Sequence, residues 1–101
     1  MYIYNVTTKV AHGIHTDWLH WMKQEHIPAV TNTGCFTHTI FVRLLDTDEE
    51  DGPTYAVQYH AATLADYDRY IVEFAPTLRK DTMDHWGNQI IAFRSLMQHV
   101  H

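Results

Sequence analysis

The sequence predicts an α+β domain of the ferredoxin-like βαββαβ type, with a four-stranded antiparallel sheet that carries two helices on one face. Segments with strand alternation and segments with helical periodicity follow one another in the order strand, helix, strand, strand, helix, strand. The chain of 101 residues is 46% hydrophobic, which is enough for one core, and no repeat or linker divides it. Residues 1–101 are therefore expected to form a single domain.

The first strand and the first helix follow from two kinds of apolar spacing. Residues 2–10 alternate in polarity and are rich in β-branched and aromatic side chains, which is typical of a strand. Thr16 is a candidate N-cap for a helix whose apolar pattern runs to a stop at Gly34. Pro28 lies inside this helix, lacks a backbone donor and disfavours helical geometry at the preceding residue. We therefore expect a kink near His26.

A hairpin follows the first helix. The segments 35–45 and 54–62 are apolar and rich in strand-forming residues, and an acidic turn separates them. Side chains of both parities are apolar in the first of these strands, as in Ile40 and Val42 against Phe41. Neither sheet face is therefore expected to contact water, and two sheets packed face to face would cover both. This pattern predicts a homodimer through the sheet faces, that is, a dimeric α+β barrel.

A second helix and a last strand complete the pattern. Thr63 and Asp66 have capping-box spacing, and an apolar stripe with helical periodicity follows them. Pro76 is expected to interrupt this helix, so that a shorter helical piece covers residues 77–86. Residues 89–100 then form the last strand.

Composition excludes several classes of partner. The 12 acidic and 7 basic residues give a net charge of −5 with no cluster of Lys or Arg, so we expect no nucleic-acid partner. No apolar stretch approaches the ~20 residues that cross a bilayer, so we expect no membrane partner. The single Cys35 cannot form an internal disulfide, which predicts a cytoplasmic location. The nine histidines include pairs at metal-ligand spacing, but no third ligand joins them, so we expect no metal and no cofactor.

Polar side chains on the sheet predict a ligand-binding site. If Ile91 and Phe93 face the helices, the opposite face carries Arg94 together with Asn5 and Gln58. Arg43 is a further candidate from the second strand. Guanidinium and amide groups on an apolar surface can hold a carboxylate or a polar carbonyl compound. A buried structural network, or arginines at the rim of a dimer, is the alternative.

The first helix supplies two more candidates. His26 follows Leu19 by seven residues and Met22 by four, so it shares their inward side and is a candidate catalytic acid or base. A core histidine that fixes the helix kink is the alternative. Trp21, with Trp18, forms an aromatic wall that is assigned either to ligand binding or to the core and the dimer contact.

Several motifs together resemble an uncharacterised bacterial family. They are Met1-Tyr2-Ile3-Tyr4-Asn5-Val6-Thr7, Trp18-Leu19-x-Trp21-Met22-x-x-Glu25-His26-Ile27-Pro28, Thr33-Gly34-Cys35-Phe36-Thr37, Tyr55-x-Val57-Gln58-Tyr59 and Pro76-x-Leu78-Arg79. The chain resembles, over its whole length, a domain of unknown function found especially in Bacteroidetes. The resemblance implies a relative of the dimeric α+β barrels and brings no activity, substrate or catalytic residue. The wider relatives include cofactor-free monooxygenases, haem-degrading enzymes, isomerases and stress-response proteins.

Three hypotheses about function remain open from the sequence. The first is a barrel that binds a small polar or carboxylate-bearing molecule without catalysis. The second is an enzyme of the cofactor-free monooxygenase or isomerase kind, with His26 as base and Arg94 or Asn5 stabilising an enolate-like anion. The third is a protein-interaction module. Whether the protein is an enzyme is not decided at this level.

Overall fold

One antiparallel sheet and two helical arms make up the protein, which is described over residues 1–101 by a computed structural model. The sheet has the strand order β2-β3-β1-β4. Its strands are β1 (Tyr2–Val10), β2 (His38–Leu44), β3 (Thr54–Ala61) and β4 (Ile90–Gln98). The predicted ferredoxin-like α+β fold is confirmed. No helix has the length and apolar character that crossing a membrane requires.

Each helical arm contains a π turn between two α-helical segments. The first helical arm consists of α1 (His15–Trp21), a π turn (Met22–His26) and α2 (Ile27–Thr31), and a 3₁₀ turn (His12–Ile14) precedes it. The second helical arm consists of α3 (Leu64–Arg69), a π turn (Tyr70–Phe74) and α4 (Ala75–Trp86), and a 3₁₀ turn (Gly87–Gln89) follows it.

The kink expected in the first helical arm takes the form of this π turn. The Ile27 N–H donates to the carbonyl of Met22, five residues earlier. Pro28, the second residue of α2, has no N–H with which to continue an α-helical ladder. The predicted start of the arm was wrong, because Thr16 lies inside α1 and no side chain caps that segment at Ile14.

The second helical arm begins as predicted but continues past its proline. The Asp66 N–H donates to the Thr63 hydroxyl at 3.1 Å, which confirms the N-cap. Pro76 does not interrupt the arm, because the Ala75 N–H donates to the carbonyl of Tyr70 and α4 follows directly. A proline is tolerated in the first turn of a helical segment, where its missing N–H would have no partner.

The core lies between the sheet and the helical arms. Tyr4 of β1 stands directly opposite Tyr59 of β3, and Val6 stands opposite Val57. Trp18 packs against this sheet face, where it is 1% exposed. These strand residues face the helices.

The faces of β4 are the reverse of those predicted. Arg94 pairs with Val6 and Ala92 with Thr8, so both lie on the helix side of the sheet. Ile91 and Phe93 lie on the other side and are 57% and 68% exposed. The prediction failed because apolar residues occupy both parities of this strand, so that alternation alone does not distinguish its faces.

The sheet face opposite the helical arms, here called the open face, carries exposed apolar side chains and is uncovered in the single chain. Ile40 and Val42 of β2 are each 42% exposed, and they lie on the same side of the sheet as Phe93. No element of the chain packs against this side.

Candidate functional site

A cavity of about 40 Å³, here called the inner chamber, lies between the sheet and the helical arms. Strands β1, β3 and β4 form its floor, and both helical arms form its walls. The lining is mainly apolar and aromatic. Its polar members include His26, Tyr59, Tyr70, Arg79, Thr82 and Arg94.

A wider cavity of about 180 Å³, here called the outer chamber, adjoins the inner one. The two chambers share Arg79 and Thr82 of α4, and Ile90, Ala92 and Arg94 of β4. They therefore adjoin along α4 and β4, and the two together are here called the pocket. Gly87, which ends α4 with a φ of 55°, borders the outer chamber and adds no side chain to it.

The pocket is lined by two arginines and by no carboxylate. No Asp or Glu lines either chamber. Arg79 donates to the Tyr4 hydroxyl at 3.1 Å. The guanidinium group of Arg94 has no ion pair or hydrogen bond within the protein, whereas that of Arg43 is paired with Glu49 at 2.6 Å. An anion entering the pocket would thus meet an unpaired guanidinium group.

His26 is neutral and incompletely hydrogen-bonded. Its ring stacks on Trp21 with the centroids 4.9 Å apart, and its Nδ1 is buried without a partner. Burial lowers the pKa of His26 to about 4; nearby Asp81 opposes this shift and Arg94 adds to it. An unsatisfied buried nitrogen costs about 1–3 kcal/mol, so a water molecule or a ligand that bonds to Nδ1 would remove this cost.

Two buried tyrosines provide protonated hydroxyl groups beside His26. Tyr59 and Tyr70 both line the inner chamber and are 2% and 3% exposed. Burial, with a smaller contribution from neighbouring tyrosines, raises the pKa of each phenol far above its ordinary value. Both groups therefore remain hydrogen-bond donors at any physiological pH.

Sequence comparison gives the chain a family. The profile of a domain of unknown function, DUF4286, matches residues 1–100. The chain belongs to the DUF4286 family. It matches none of the curated proteins.

Solved structures share the fold of this DUF4286 domain at low sequence identity. An ethd family protein from Bacillus halodurans superimposes with a TM-score of 0.69 at 10% identity, covering 99% of this chain and 100% of that one. A protein from Agrobacterium tumefaciens gives 0.66 at 13% identity, with coverages of 99% and 94%. A candidate antibiotic biosynthesis monooxygenase from Deinococcus radiodurans gives 0.59 at 12% identity, with coverages of 100% and 94%. At such identities the likeness shows the α+β fold alone.

The structure brings only part of the predicted site of this DUF4286 domain together. His26 and Arg94 line the same chamber, on the helix side of the sheet. Asn5 and Gln58 stand opposite each other on the open face, so they do not reach this pocket. Arg43 was predicted to lie with Asn5 and Gln58 on the face opposite the helices. It stands opposite Tyr55 in the strand register and therefore lies on the helix side of the sheet.

The remaining predicted contact, Trp21, lies behind the pocket. It does not line the inner chamber, whereas Trp18 does. Trp21 instead packs between the rings of His26 and His85, with centroid distances of 4.9 and 5.1 Å. Trp21 therefore packs against His26 and does not contact the pocket itself.

The sequence did not identify the tyrosines and Arg79 as pocket residues. Tyr70 belongs to the apolar stripe of the second helix, whose spacing is typical of a core face, and the spacing of Tyr59 along β3 is typical of a core strand. The chemistry of tyrosine could have indicated these residues, since a buried tyrosine hydroxyl usually requires a hydrogen-bond partner. Arg79 appeared only as part of a family motif.

Proposed function

We propose that this DUF4286 domain binds a small carboxylate-bearing molecule in the pocket between its sheet and its helical arms. The observation that carries the proposal is the unpaired Arg94 on the wall of a pocket that has no acidic residue. A guanidinium group in such a place favours a carboxylate, which it can hold with two parallel hydrogen bonds.

The interior of the pocket supports the same class of ligand. Tyr59 and Tyr70 provide donors, and His26 provides a neutral imidazole whose Nδ1 has no partner. Apolar walls with a few convergent polar groups are typical of small-molecule sites. The ligand is therefore expected to be small, with a carboxylate at Arg94 and a less polar part that enters the core.

Titration of small carboxylates into the wild-type protein and two arginine variants tests the proposal. Calorimetry or amide chemical shifts should show that Arg94→Leu weakens carboxylate binding at least about tenfold, because a charge-assisted pair is removed. Arg43→Leu is the matched control, since Arg43 is on the same side of the sheet but already paired with Glu49. Equal affinities in the two variants would contradict the proposal.

Catalysis by His26 is the second candidate function. His26 is neutral at pH 7 and so is free to accept a proton, but a pKa of about 4 makes it a weak base. Proton abstraction from a bound carbonyl compound would therefore depend on Arg94, which can stabilise the resulting enolate-like anion. Asn5 cannot take that part, because it is on the open face. Exchange of a ligand's carbon-bound proton with deuterated water, abolished in His26→Leu, would support this candidate; its absence in the wild-type protein with a bound ligand would exclude it.

We further propose that the domain is a homodimer formed through the open face. The exposed apolar side chains Ile40, Val42, Ile91 and Phe93 support this assembly, since the chain itself leaves them uncovered. We assign the protein to the cytoplasm, where the free Cys35 would remain reduced.

A further inference from the structure

The two chambers of the pocket differ in size in a way that restricts the shape of a ligand. An apolar protein cavity of about 150 Å³ holds a benzene molecule. The outer chamber, at about 180 Å³, can hold a six-membered ring, whereas the inner chamber, at about 40 Å³, cannot. Only a substituent with the size of a water molecule or a hydroxyl group fits inside.

The walls of the outer chamber suit a ring. Met83, Ile90 and Ala92 provide its apolar surface. The thioether of a methionine packs favourably against aromatic rings. Arg94 borders the same chamber and is exposed to solvent, so a carboxylate on the ring can pair with it while part of that carboxylate stays hydrated.

The inner chamber suits a hydroxyl group. His26 lines this chamber, and its Nδ1 has no partner and almost no accessible surface, so a group in the chamber reaches Nδ1 when the ring turns. Nδ1 is a donor in one tautomer of the neutral ring and an acceptor in the other. A hydroxyl group can both donate and accept, so it satisfies either tautomer. The phenols of Tyr59 and Tyr70 line the same space and can donate to its oxygen.

We infer that the ligand is a six-membered-ring carboxylic acid with a ring hydroxyl group, which enters the inner chamber beside His26 while the ring fills the outer chamber and the carboxylate pairs with Arg94. This inference rests on the proposed function, because it specifies the ligand of the same pocket. It adds the size of the ligand, its orientation and the residue that recognises its second polar group.

A series of four probes tests each part of the inference with the wild-type protein. The probes are propanoate, benzoate, 3-hydroxybenzoate and 4-hydroxybenzoate, and affinity is measured by calorimetry. Benzoate should bind at least about tenfold more tightly than propanoate, because only the ring buries apolar area in the outer chamber. One hydroxybenzoate should bind about tenfold more tightly than benzoate, because one hydrogen bond to a buried group is gained.

Two variants locate the hydroxyl group. His26→Leu should abolish the preference for the hydroxybenzoate over benzoate. His20→Leu, at an exposed histidine on the same helical arm, is the matched control and should keep the preference. A hydroxyl preference that survives in His26→Leu would overturn the assignment of His26.

The outcomes separate this inference from the proposed function. If propanoate and benzoate bind equally, in an Arg94-dependent way, the ring assignment fails while carboxylate binding stands. If neither hydroxybenzoate exceeds benzoate in affinity, the assignment of the inner chamber fails. If no probe binds, both the inference and the proposed function are overturned.

Discussion

His26 makes the stability of the folded chain depend on pH. Burial holds its pKa at about 4, below the ordinary value of 6.5. Between these two pH values the unfolded chain binds a proton that the folded chain does not. The free energy of unfolding therefore keeps its full value above about pH 6.5 and decreases as the pH falls from 6.5 towards 4. The loss should approach about 3 kcal/mol near pH 4, since each pKa unit corresponds to about 1.4 kcal/mol.

Denaturant unfolding at pH 7 and pH 4.5 checks this expectation. His26→Leu should lose less stability than the wild-type protein over this interval, because its side chain does not titrate. His20→Leu should behave as the wild-type protein does, since His20 is exposed. A wild-type-like pH dependence in His26→Leu would show that other groups carry the effect.

Single residues also show where reasoning from the sequence succeeded and where it could not. His26 was placed inward because its spacing from Leu19 and Met22 is set by the chain itself. Arg94 was predicted to contact a ligand, which stays a prediction, and it was assigned to the wrong sheet face. A strand with apolar residues on both sides shows no alternation of polar and apolar residues, so the sequence does not indicate which side faces the core. The orientation of β4 follows only from its register with β1, in which Arg94 stands opposite Val6.

At the scale of elements, the π turn in the first helical arm positions His26. This turn ends at His26 and is followed by α2, in which Pro28 lacks the N–H of an α-helical ladder. Pro28→Ala restores that donor and removes the clash of the ring with the preceding turn, so the arm can return to α-helical hydrogen bonding. One residue of α-helix corresponds to a rotation of about 100°, which would move His26 out of the inner chamber.

Titration of the histidine ring by NMR detects that rotation. In Pro28→Ala the pKa of His26 should rise from about 4 towards 6.5, because the ring regains water. Pro76→Ala is the matched control: it follows the other π turn and should leave the pKa of His26 unchanged. A pKa of about 4 in both variants would mean that tertiary packing, and not Pro28, holds His26 in place.

The elements themselves were largely predictable, and their irregularities were not. Local chemistry determines the Thr63 cap, so it was found in the sequence. The same proline signal was interpreted as a kink in one arm and as an interruption in the other. In the structure, a π turn precedes the proline in each arm. Each arm remains continuous and covers the sheet, and this requirement comes from tertiary packing and not from local sequence.

For the whole molecule, the open face is the surface on which the proposed dimer depends. Phe93 is 68% exposed at the edge strand β4, and a charge placed there would be costly to bury. Phe93→Glu should therefore convert a wild-type dimer into a monomer in light-scattering measurements. Val72→Glu is the control, since Val72 is 75% exposed on the second helical arm and should leave the dimer intact. A monomeric wild-type protein, or a dimeric Phe93→Glu variant, would contradict the assembly.

A pair of histidines should make that dimer sensitive to acid. His38 of β2 and His60 of β3 stand directly opposite each other on the open face, and their rings stack with centroids 4.1 Å apart. The Nε2 of His60 is buried without a partner. Burial, then the neighbouring His38 and His99, lowers the pKa of His60.

No carboxylate is among the groups that influence the pKa of His60, so a positive charge on this pair would have no opposite charge beside it. Thr37 hydrogen-bonds to the Nδ1 of His38, and Ile3 of β1 stands opposite His60. The charged groups that influence the pKa of His60 are histidines, so a second positive charge would be repelled. A second sheet packed on the open face would remove more water from the pair. The neutral pair is therefore favoured in the proposed dimer, and the dimer should lose stability as the pH falls through the lowered pKa that His60 has in the folded monomer.

Dimer dissociation constants measured at pH 7.5 and pH 5.5 by sedimentation test this mechanism. The wild-type constant should increase at the lower pH. His60→Phe keeps an aromatic ring for stacking but cannot titrate, so its constant should change much less between the two pH values. His12→Phe replaces an exposed histidine outside the strands and should retain the wild-type response. If the dissociation constant of His60→Phe increased at pH 5.5 as much as that of the wild-type protein, the stacked pair would not be the sensor. Titration of the pair would then contribute nothing to the association of the two sheets.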